Sequence, residues 1–189
     1  DPKPDETCLI LGQGPIGLLF TMLVRRTGAR VLATDTIARR RELAVRFGAE
    51  EAWDPRTTEI EPLVARLTEG RGADLVILAA SAPGLVQQGV RCSRPGGRIL
   101  LFAQTSHQET VELSGADICV GERTLLGCYS ASVDLQKESA RLVFSGELPV
   151  EDLISHRLPL DSISSAIKLA LHPDESSLKI VVRPQRWAQ

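Results

Sequence analysis

Residues Cys8–Gly17 read CLILGQGPIG and contain the glycine pattern G-x-G-x-x-G. A short apolar run precedes the glycines and an amphipathic segment follows them, which is the strand–turn–helix context that gives this pattern meaning. Gly12 permits a tight turn, Gly14 leaves room for a pyrophosphate beside the backbone, and Gly17 lets the helix pack closely on the strand. These residues predict a phosphate-binding turn that opens a dinucleotide-binding fold. The expected apolar helix face carries Ile16, Leu19, Phe20 and Leu23.

An acidic residue stands where such a fold needs one for the adenosine ribose. Asp35 follows the apolar run Val31–Thr34 and lies 18 residues after Gly17. A carboxylate there accepts hydrogen bonds from ribose hydroxyls and repels a 2′-phosphate, so NAD is favoured over NADP. The alternative is a plain strand–helix turn with Asp35 as a helix cap. Arg39–Arg41 form either a solvated helix face or ligands for a 2′-phosphate, and the second option keeps NADP open as the minor choice.

Apolar runs alternate with helical segments along most of the chain. Several runs are apolar at consecutive positions, which is typical of strands buried on both faces. Strand–helix alternation with short connections predicts an α/β fold of the Rossmann type, a doubly wound parallel sheet with helices on both faces. The predicted strands are Cys8–Leu11, Val31–Thr34, Ala52–Trp53, Leu75–Ala80, Arg98–Phe102 and Thr124–Tyr129.

Three regions follow from this pattern. Residues 1–7 are polar and proline-rich and are expected to be a linker from an upstream segment. Residues 8–146 are expected to form the dinucleotide-binding domain. Residues 147–189 break the strand–helix rhythm and are expected to form a C-terminal tail. The helical segments Val133–Ser145 and Asp161–Leu171 flank this boundary.

Composition excludes several classes of protein. The 189 residues carry 22 Lys and Arg against 24 Asp and Glu, a net charge of -2, which disfavours a nucleic-acid-binding surface. No apolar run approaches the ~18 residues of a membrane span, and no secretion signal is visible. Four scattered cysteines indicate a reduced, cytoplasmic protein, with Cys8 and Cys128 expected to be buried. His107, His156 and His172 are isolated, so no metal site is predicted in this chain.

The chain resembles the cofactor-binding half of the medium-chain, zinc-type alcohol dehydrogenases, a group that includes sorbitol and threonine dehydrogenases. The resemblance runs from Lys3 to Pro184. It rests on the order and spacing of LILGQGPIGLL, ATD with Arg40 five residues after Asp35, ELAVRFGAEEAWDP, EGRGADLVILAA, RPGGRILLF and ISHRLPLDSISSAIKLAL.

This resemblance implies hydride transfer between NAD and an alcohol or carbonyl, with catalytic zinc only in an upstream catalytic domain. The chain alone is therefore expected to bind cofactor without catalysing the reaction. The resemblance implies that residues 1–7 link this chain to that domain and that the tail 147–189 packs back on it. It also implies contacts along the cofactor. The implied residues are Gly12, Gly14, Pro15, Ile16 and Gly17 for the pyrophosphate, Asp35 and Arg40 for the adenosine ribose, Ala79 and Ala80 under the cofactor, Phe102 and Ala103 at the nicotinamide end, and Lys179 again for the pyrophosphate.

Two other functions remain open. One is an NADPH-dependent quinone-reductase-like enzyme without zinc, although Gln13 in the glycine turn and Asp35 argue against it. The other is a non-catalytic nucleotide-sensing module, because a fold does not fix a function. The last predicted strand, Thr124–Tyr129, carries no charge or proline to protect a sheet edge. Together with the symmetric assembly of the family, it predicts a homodimer through this strand.

Overall fold

The computed structural model describes residues 1–103, 110–129 and 132–184. The chain forms two compact units, Asp1–Ser130 and Ala131–Gln189. The domain boundary expected at residue 146 differs from this division, since the helix before it belongs to the second unit. That helix is amphipathic like those between the strands, so its sequence gives no sign that it follows the last strand of the sheet.

The first unit is built on a six-stranded parallel sheet with the order β3-β2-β1-β4-β5-β6. From the centre, β1, β2 and β3 follow one another toward one edge and β4, β5 and β6 toward the other, so the order reverses between β1 and β4. This is the doubly wound order of dinucleotide-binding folds, and the predicted fold class is confirmed. The strands are β1 Thr7–Leu11, β2 Arg30–Thr34, β3 Glu51–Trp53, β4 Ala73–Leu78, β5 Ser93–Leu101 and β6 Thr124–Gly127.

Helices cover the sheet and bury its central strands. Leu9 and Leu11 of β1 belong to an apolar cluster with Ile60 and Val90, whereas Ile10 between them is equally buried. Successive side chains of a strand point to opposite faces, so β1 is covered on both sides. This explains its uninterrupted apolar sequence. The helices of this unit are α1 Pro15–Arg26, α2 Ala38–Arg46, α3 Ile60–Leu67, α4 Leu85–Cys92 and α5 Gly115–Cys119.

The buried face of α1 differs from the predicted one. Ile16 and Leu23 are exposed, and Leu19 and Phe20 are only half-buried. The prediction counted apolar residues at helical spacing. The true face is partly made of a glycine and a threonine, which such a count ignores. The buried residues of α1 are Gly17, Leu18, Thr21, Met22 and Val24.

Strand ends also differ slightly from expectation. β4 ends at Leu78 and β5 at Leu101, so Ala79, Ala80, Phe102 and Ala103 follow the strands instead of ending them. Pro95-Gly96-Gly97 lies within β5, next to a shift in its register with β4. Cys128 is exposed, contrary to prediction, because it follows the last residue of an edge strand. Cys8 is buried as expected.

The second unit is smaller and contains a two-stranded parallel sheet. Its buried residues among those described are few, with Leu148, Leu153 and Ala166 the apolar ones. Within the described ranges, none of the helices has the length and apolarity that crossing a membrane requires. The elements of this unit are α6 Gln136–Phe144, β7 Ile154–Pro159, α7 Ile163–Leu171 and β8 Lys179–Arg183.

Candidate cofactor-binding site

The carboxyl ends of the parallel strands bring the predicted residues of the first unit to one edge of the sheet. Gly12 follows β1, Asp35 follows β2, Ala79 follows β4 and Phe102 follows β5. The order of strands reverses between β1 and β4, and ligands of doubly wound sheets bind in the crevice at that point. The glycine turn stands directly at this crevice.

Two of the three glycines are required by close packing. Gly12 has φ +97°, and a Cβ atom built on it would lie 2.6 Å from the Cβ of Ala80. A Cβ on Gly17 would lie 1.9 Å from the carbonyl oxygen of Gly12. The Gly12 N–H donates to the carbonyl oxygen of Thr34 at 2.9 Å. The turn is therefore held tightly between β2, the start of α1 and the residues after β4.

Gly14 is different, because open space surrounds it. A Cβ atom there would meet no atom within 4 Å. Gly14 is the N-cap of α1 and Pro15 is its first residue. A glycine supplies no side-chain oxygen to the N–H groups of the first turn, which have no partner inside the helix. These N–H groups and the open space above Gly14 fit the pyrophosphate of a dinucleotide.

Asp35 is buried against the glycine turn. One oxygen, Oδ2, accepts a hydrogen bond from the Gln13 N–H at 2.7 Å, and Oδ1 accepts one from the Ile37 N–H at 2.8 Å. Asp35 is only 8% exposed. The guanidinium Nη1 of Arg40 lies 3.9 Å from Oδ2 of Asp35. A carboxylate has about four lone-pair positions, so capacity remains for ribose hydroxyls. The structure thus brings Asp35 and Arg40 together beside the glycine turn.

A second carboxylate at the same edge holds two further arginines. Asp54 follows β3, and its two oxygens accept hydrogen bonds from Nε and Nη2 of Arg56 at 3.0 and 2.7 Å. Arg41 Nη1 lies 3.3 Å from Oδ2 of Asp54. The Arg56 guanidinium, followed by its N–H and the Arg41 charge, holds the pKa of the Asp54 carboxyl well below its usual range. We call Arg41, Asp54 and Arg56 the Asp54 clamp.

The two arginines of the Asp54 clamp donate hydrogen bonds to the backbone at Asp35 and at the residue after it. Arg41 Nη1 donates to the carbonyl oxygen of Asp35 at 2.8 Å, and Arg56 Nη2 donates to that of Thr36 at 2.7 Å. The Asp35 N–H itself donates to the carbonyl oxygen of Trp53 at 3.1 Å. The loops after β2 and β3 are therefore joined by both backbone and side-chain contacts.

Small residues and an aromatic pair occupy the other side of the crevice. Ala80 meets the glycine turn at Gly12, and Ala79 lies near Gly17. The ring of Phe102 packs edge-on against Phe20 of α1, with ring centroids 4.9 Å apart and planes at 83°. The Ala103 N–H donates to the carbonyl oxygen of Leu78 at 2.9 Å, so the chain after β5 continues beside β4. The residues expected at the nicotinamide end thus flank the crevice.

Lys179 lies in the second unit, where it begins β8. It is exposed, and its carbonyl oxygen accepts a hydrogen bond from the Ser155 hydroxyl at 3.2 Å. His156 and His172 belong to the same unit, and His107 lies outside the described residues. Among the residues that the structure describes, no three His, Cys, Asp or Glu side chains are grouped as a metal site requires.

Sequence reasoning missed several residues at this edge. Gln13 is wholly buried, and the Thr21 hydroxyl donates to its Oε1 at 2.9 Å. Asp54 and Arg56 were not considered, although Asp54 directly follows a strand that neighbours β2 in the sheet. Carboxyl ends of adjacent parallel strands meet at one edge, so that position was the available signal.

Comparison with known proteins agrees with this geometry. Residues 15–145 match the model of the zinc-binding dehydrogenase family. The chain is 28% identical over 184 residues to (R,R)-butanediol dehydrogenase of Neisseria gonorrhoeae, covering 96% of the chain and 51% of that relative. The chain spans about half the length of the curated relatives it matches.

Solved structures agree as well. The 2R,3R-butanediol dehydrogenase of Bacillus subtilis superposes with a TM-score of 0.86 at 25% identity, covering 98% of this chain and 52% of that one. A structure from Sinorhizobium meliloti 1021 with NADP bound gives a TM-score of 0.86 at 30% identity, covering 96% and 53%.

The parallel sheet, the glycine turn and the family match define the dinucleotide-binding portion of a dehydrogenase. The chain belongs to the zinc-binding dehydrogenase family.

Proposed function

We propose that this chain is the NAD-binding domain of an alcohol or polyol dehydrogenase. The observation that carries the proposal is the buried Asp35 carboxylate, held against the glycine turn by the Gln13 N–H at the end of β2. A carboxylate at this place accepts hydrogen bonds from the two ribose hydroxyls and repels a 2′-phosphate. NAD is accordingly the proposed cofactor, in preference to NADP.

The proposed contacts follow the cofactor along the edge of the sheet. The pyrophosphate lies over Gly14, with Pro15, Ile16 and the start of α1 beneath it. Arg40 accompanies Asp35 at the adenosine ribose. Lys179 is proposed to add a contact to the pyrophosphate on the strength of the family resemblance. The remaining proposed contacts are Gly12, Gly17, Ala79, Ala80, Phe102 and Ala103.

The activity of the whole protein is a proposal that rests on its relatives. Several are named as butanediol, threonine or xylulose enzymes, and from this we infer hydride transfer between NAD and an alcohol or carbonyl. The cofactor supplies the hydride chemistry, and this chain supplies binding and orientation. Zinc is proposed to act from residues beyond this chain. A cytoplasmic location is proposed from four free cysteines.

A homodimer is proposed through β6, which lies at the edge of the sheet. Leu126 of this strand is 43% exposed. Strand-to-strand pairing about a two-fold axis would join the sheets of two copies. The alternative is a monomer whose edge is covered by the tail after Ala131, since natural sheet edges are often covered.

The cofactor proposal is tested by titrating the chain with NADH and NADPH, following nicotinamide fluorescence. We expect NADH to bind at least about tenfold more tightly, a difference of about 1.4 kcal/mol. Asp35→Asn should reduce this preference because the repulsion of the 2′-phosphate disappears. Lys179→Ala in the same titration should weaken both nucleotides equally, since both share the pyrophosphate.

An NADPH-dependent enzyme is the second candidate, and a relative with bound NADP favours it. Equal or tighter binding of NADPH by the unaltered chain would support that candidate and contradict ours. Binding of neither nucleotide would contradict both. A sensing role is distinguished by joining the chain to the rest of its protein: a sensor binds NAD and shows no NAD reduction with a panel of alcohols.

A further inference from the structure

We propose that Asp54 strengthens the preference for NAD by withholding Arg41 and Arg56 from the 2′-phosphate position. This inference rests on the proposed function, because it presumes that the adenosine ribose binds at Asp35. Asp54 is a positioning residue in this account, because it acts on the 2′-phosphate position only through Arg41 and Arg56.

The geometry places the arginines close to where a 2′-phosphate would lie. The Arg41 guanidinium is 2.8 Å from the carbonyl oxygen of Asp35, and the Arg56 guanidinium is 2.7 Å from that of Thr36. Asp35 is the proposed ribose ligand, and Thr36 directly follows it in the chain. A phosphate on the 2′-hydroxyl would therefore stand within reach of two guanidinium groups, which bind phosphate with two parallel hydrogen bonds.

In the structure, these two guanidinium groups interact with the carboxylate of Asp54. It receives two hydrogen bonds from Arg56, and its Oδ2 lies 3.3 Å from Arg41 Nη1. The Asp54 side chain is only 12% exposed, whereas that of Arg56 is 65% exposed. The arginine is thus near solvent and able to reorient, while the carboxylate that restrains it is fixed. Releasing the restraint would free Arg56 for an incoming anion.

The balance of charges around the loop after β2 also supports this proposal. Arg40, Arg41 and Arg56 surround the loop after β2, and Asp35 and Asp54 oppose them. Three positive groups against two negative ones leave a small positive excess. Removing the charge of Asp54 doubles that excess without changing the ribose contact at Asp35. The predicted consequence is tighter binding of a 2′-phosphate, with little change for a free ribose.

The test compares Asp54→Asn with the unaltered chain. Titration with ADP-ribose and 2′-phospho-ADP-ribose, followed by calorimetry, isolates the adenosine half from the nicotinamide. We expect Asp54→Asn to tighten binding of the 2′-phosphorylated ligand about tenfold, and to change ADP-ribose affinity less than about threefold. The double variant Asp54→Asn/Arg56→Gln should lose most of the gain, whereas Arg56→Gln alone should have little effect.

The chain offers a matched control at the opposite end of the same strands. Arg30 and Glu50 form a two-point ion pair between β2 and the residue before β3, with distances of 2.7 and 2.6 Å, and Arg30 also donates to the carbonyl oxygen of Leu67 at 2.6 Å. Glu50→Gln changes the net charge as Asp54→Asn does. It should leave the ratio of the two affinities unchanged.

Three outcomes would overturn the inference. An unchanged ratio in Asp54→Asn, with ADP-ribose still bound, would contradict the inference alone. An equal loss of both ligands in Asp54→Asn and in the shorter Asp54→Ser would mean that Asp54 serves only the fold. Failure of the unaltered chain to bind ADP-ribose, NADH or NADPH would remove the proposed function, and the inference with it.

Discussion

The two ends of the parallel sheet use the same charged residue types differently. At the amino end, the buried Asp74 accepts a hydrogen bond from the Thr7 N–H at 2.8 Å and pairs with Arg94. Glu6 pairs with Arg98 there as well. At the carboxyl end, Asp35 binds the Gln13 N–H, but open space remains over Gly14.

From this difference we expect the charged residues at the amino end to stabilise the fold and those at the carboxyl end to take part in binding. Asp74 joins β4 to the beginnings of β1 and β5, and Glu6, directly before β1, pairs with Arg98 of β5. At the carboxyl end, close packing stops at the glycine turn and leaves helix N–H groups for a ligand. Substitutions at the amino end should therefore change the free energy of unfolding, and substitutions at the carboxyl end should change affinity.

The largest expected effects come from glycines at the two ends. Gly14→Val places a side chain in open space where the pyrophosphate is proposed to lie. We expect a loss of NADH affinity of about 100-fold or more, with at most about 1 kcal/mol of lost stability from the poorer N-cap. Fluorescence titration and urea unfolding measure the two effects.

Gly72→Val is the counterpart at the amino end. Gly72 has φ +89°, and a Cβ atom there would lie 2.8 Å from the Arg94 nitrogen and 2.9 Å from the Ser93 carbonyl carbon. We expect a loss of more than about 2 kcal/mol in the free energy of unfolding, while the folded fraction keeps its NADH affinity. If Gly14→Val unfolded the chain, or Gly72→Val abolished binding in folded protein, the separation of the two ends would be wrong.

Much of this arrangement could be predicted from the sequence because its physical signals are local. The apolar run before Gly12, the glycine spacing and the place of Asp35 after a second apolar run specify strand, turn and acid. The buried face of α1 could not be predicted in this way. Gly17 and Thr21 are buried through contacts with the turn and with Gln13, and neither contributes to an apolar pattern.

The position of Asp54 after β3 could be predicted from the sequence, but the side-chain contacts of the Asp54 clamp could not, since the sequence does not show which arginine makes them. Arg41 and Asp54 are 13 residues apart and meet only because β3 pairs with β2 at the edge of the sheet. In the sequence, Arg41 is one of three consecutive arginines that look alike. The structure distinguishes them: Arg39 is exposed, whereas Arg40 and Arg41 approach Asp35 and Asp54.

A smaller effect is expected from Asp74→Asn at the amino end. Burial raises the pKa of the Asp74 carboxyl, but the Thr7 N–H and Arg94 outweigh it and hold the pKa below its ordinary value. A carboxyl whose pKa is lower in the folded protein stabilises the fold above the unfolded pKa of about 3.9, and this contribution is lost as pH falls through the folded pKa. Asp74→Asn should therefore cost about 1–3 kcal/mol at pH 7.

Urea unfolding between pH 3 and pH 7 measures this dependence. The difference between Asp74→Asn and the unaltered chain should be fully present near pH 7 and shrink as the pH falls below about 4. Asp5→Asn, at an exposed position near the same end, is the control and should change stability by less than about 0.5 kcal/mol. A constant difference across the pH range would mean that Asp74 acts through shape and not through charge.

The smallest effect on binding and on the fold of a single copy is expected at the lateral edge of the sheet, which belongs to neither end. β6, residues Thr124–Gly127, pairs with β5 on one side and is the last strand in the order, so it forms one edge of the sheet. A lysine in place of Leu126 would put a charge on the edge and disfavour strand pairing between copies.

We expect Leu126→Lys to be monomeric in sedimentation equilibrium at tens of micromolar, where the unaltered chain is dimeric. Val45→Lys, at a similarly exposed apolar position on α2, should leave the dimer intact. Both variants should bind NADH within about twofold of the unaltered chain, because neither residue is among the proposed cofactor contacts. A monomeric unaltered chain would contradict the proposed dimer, and hydrogen exchange protection of Thr124–Gly127 in that monomer would indicate that other residues of the same chain cover the edge.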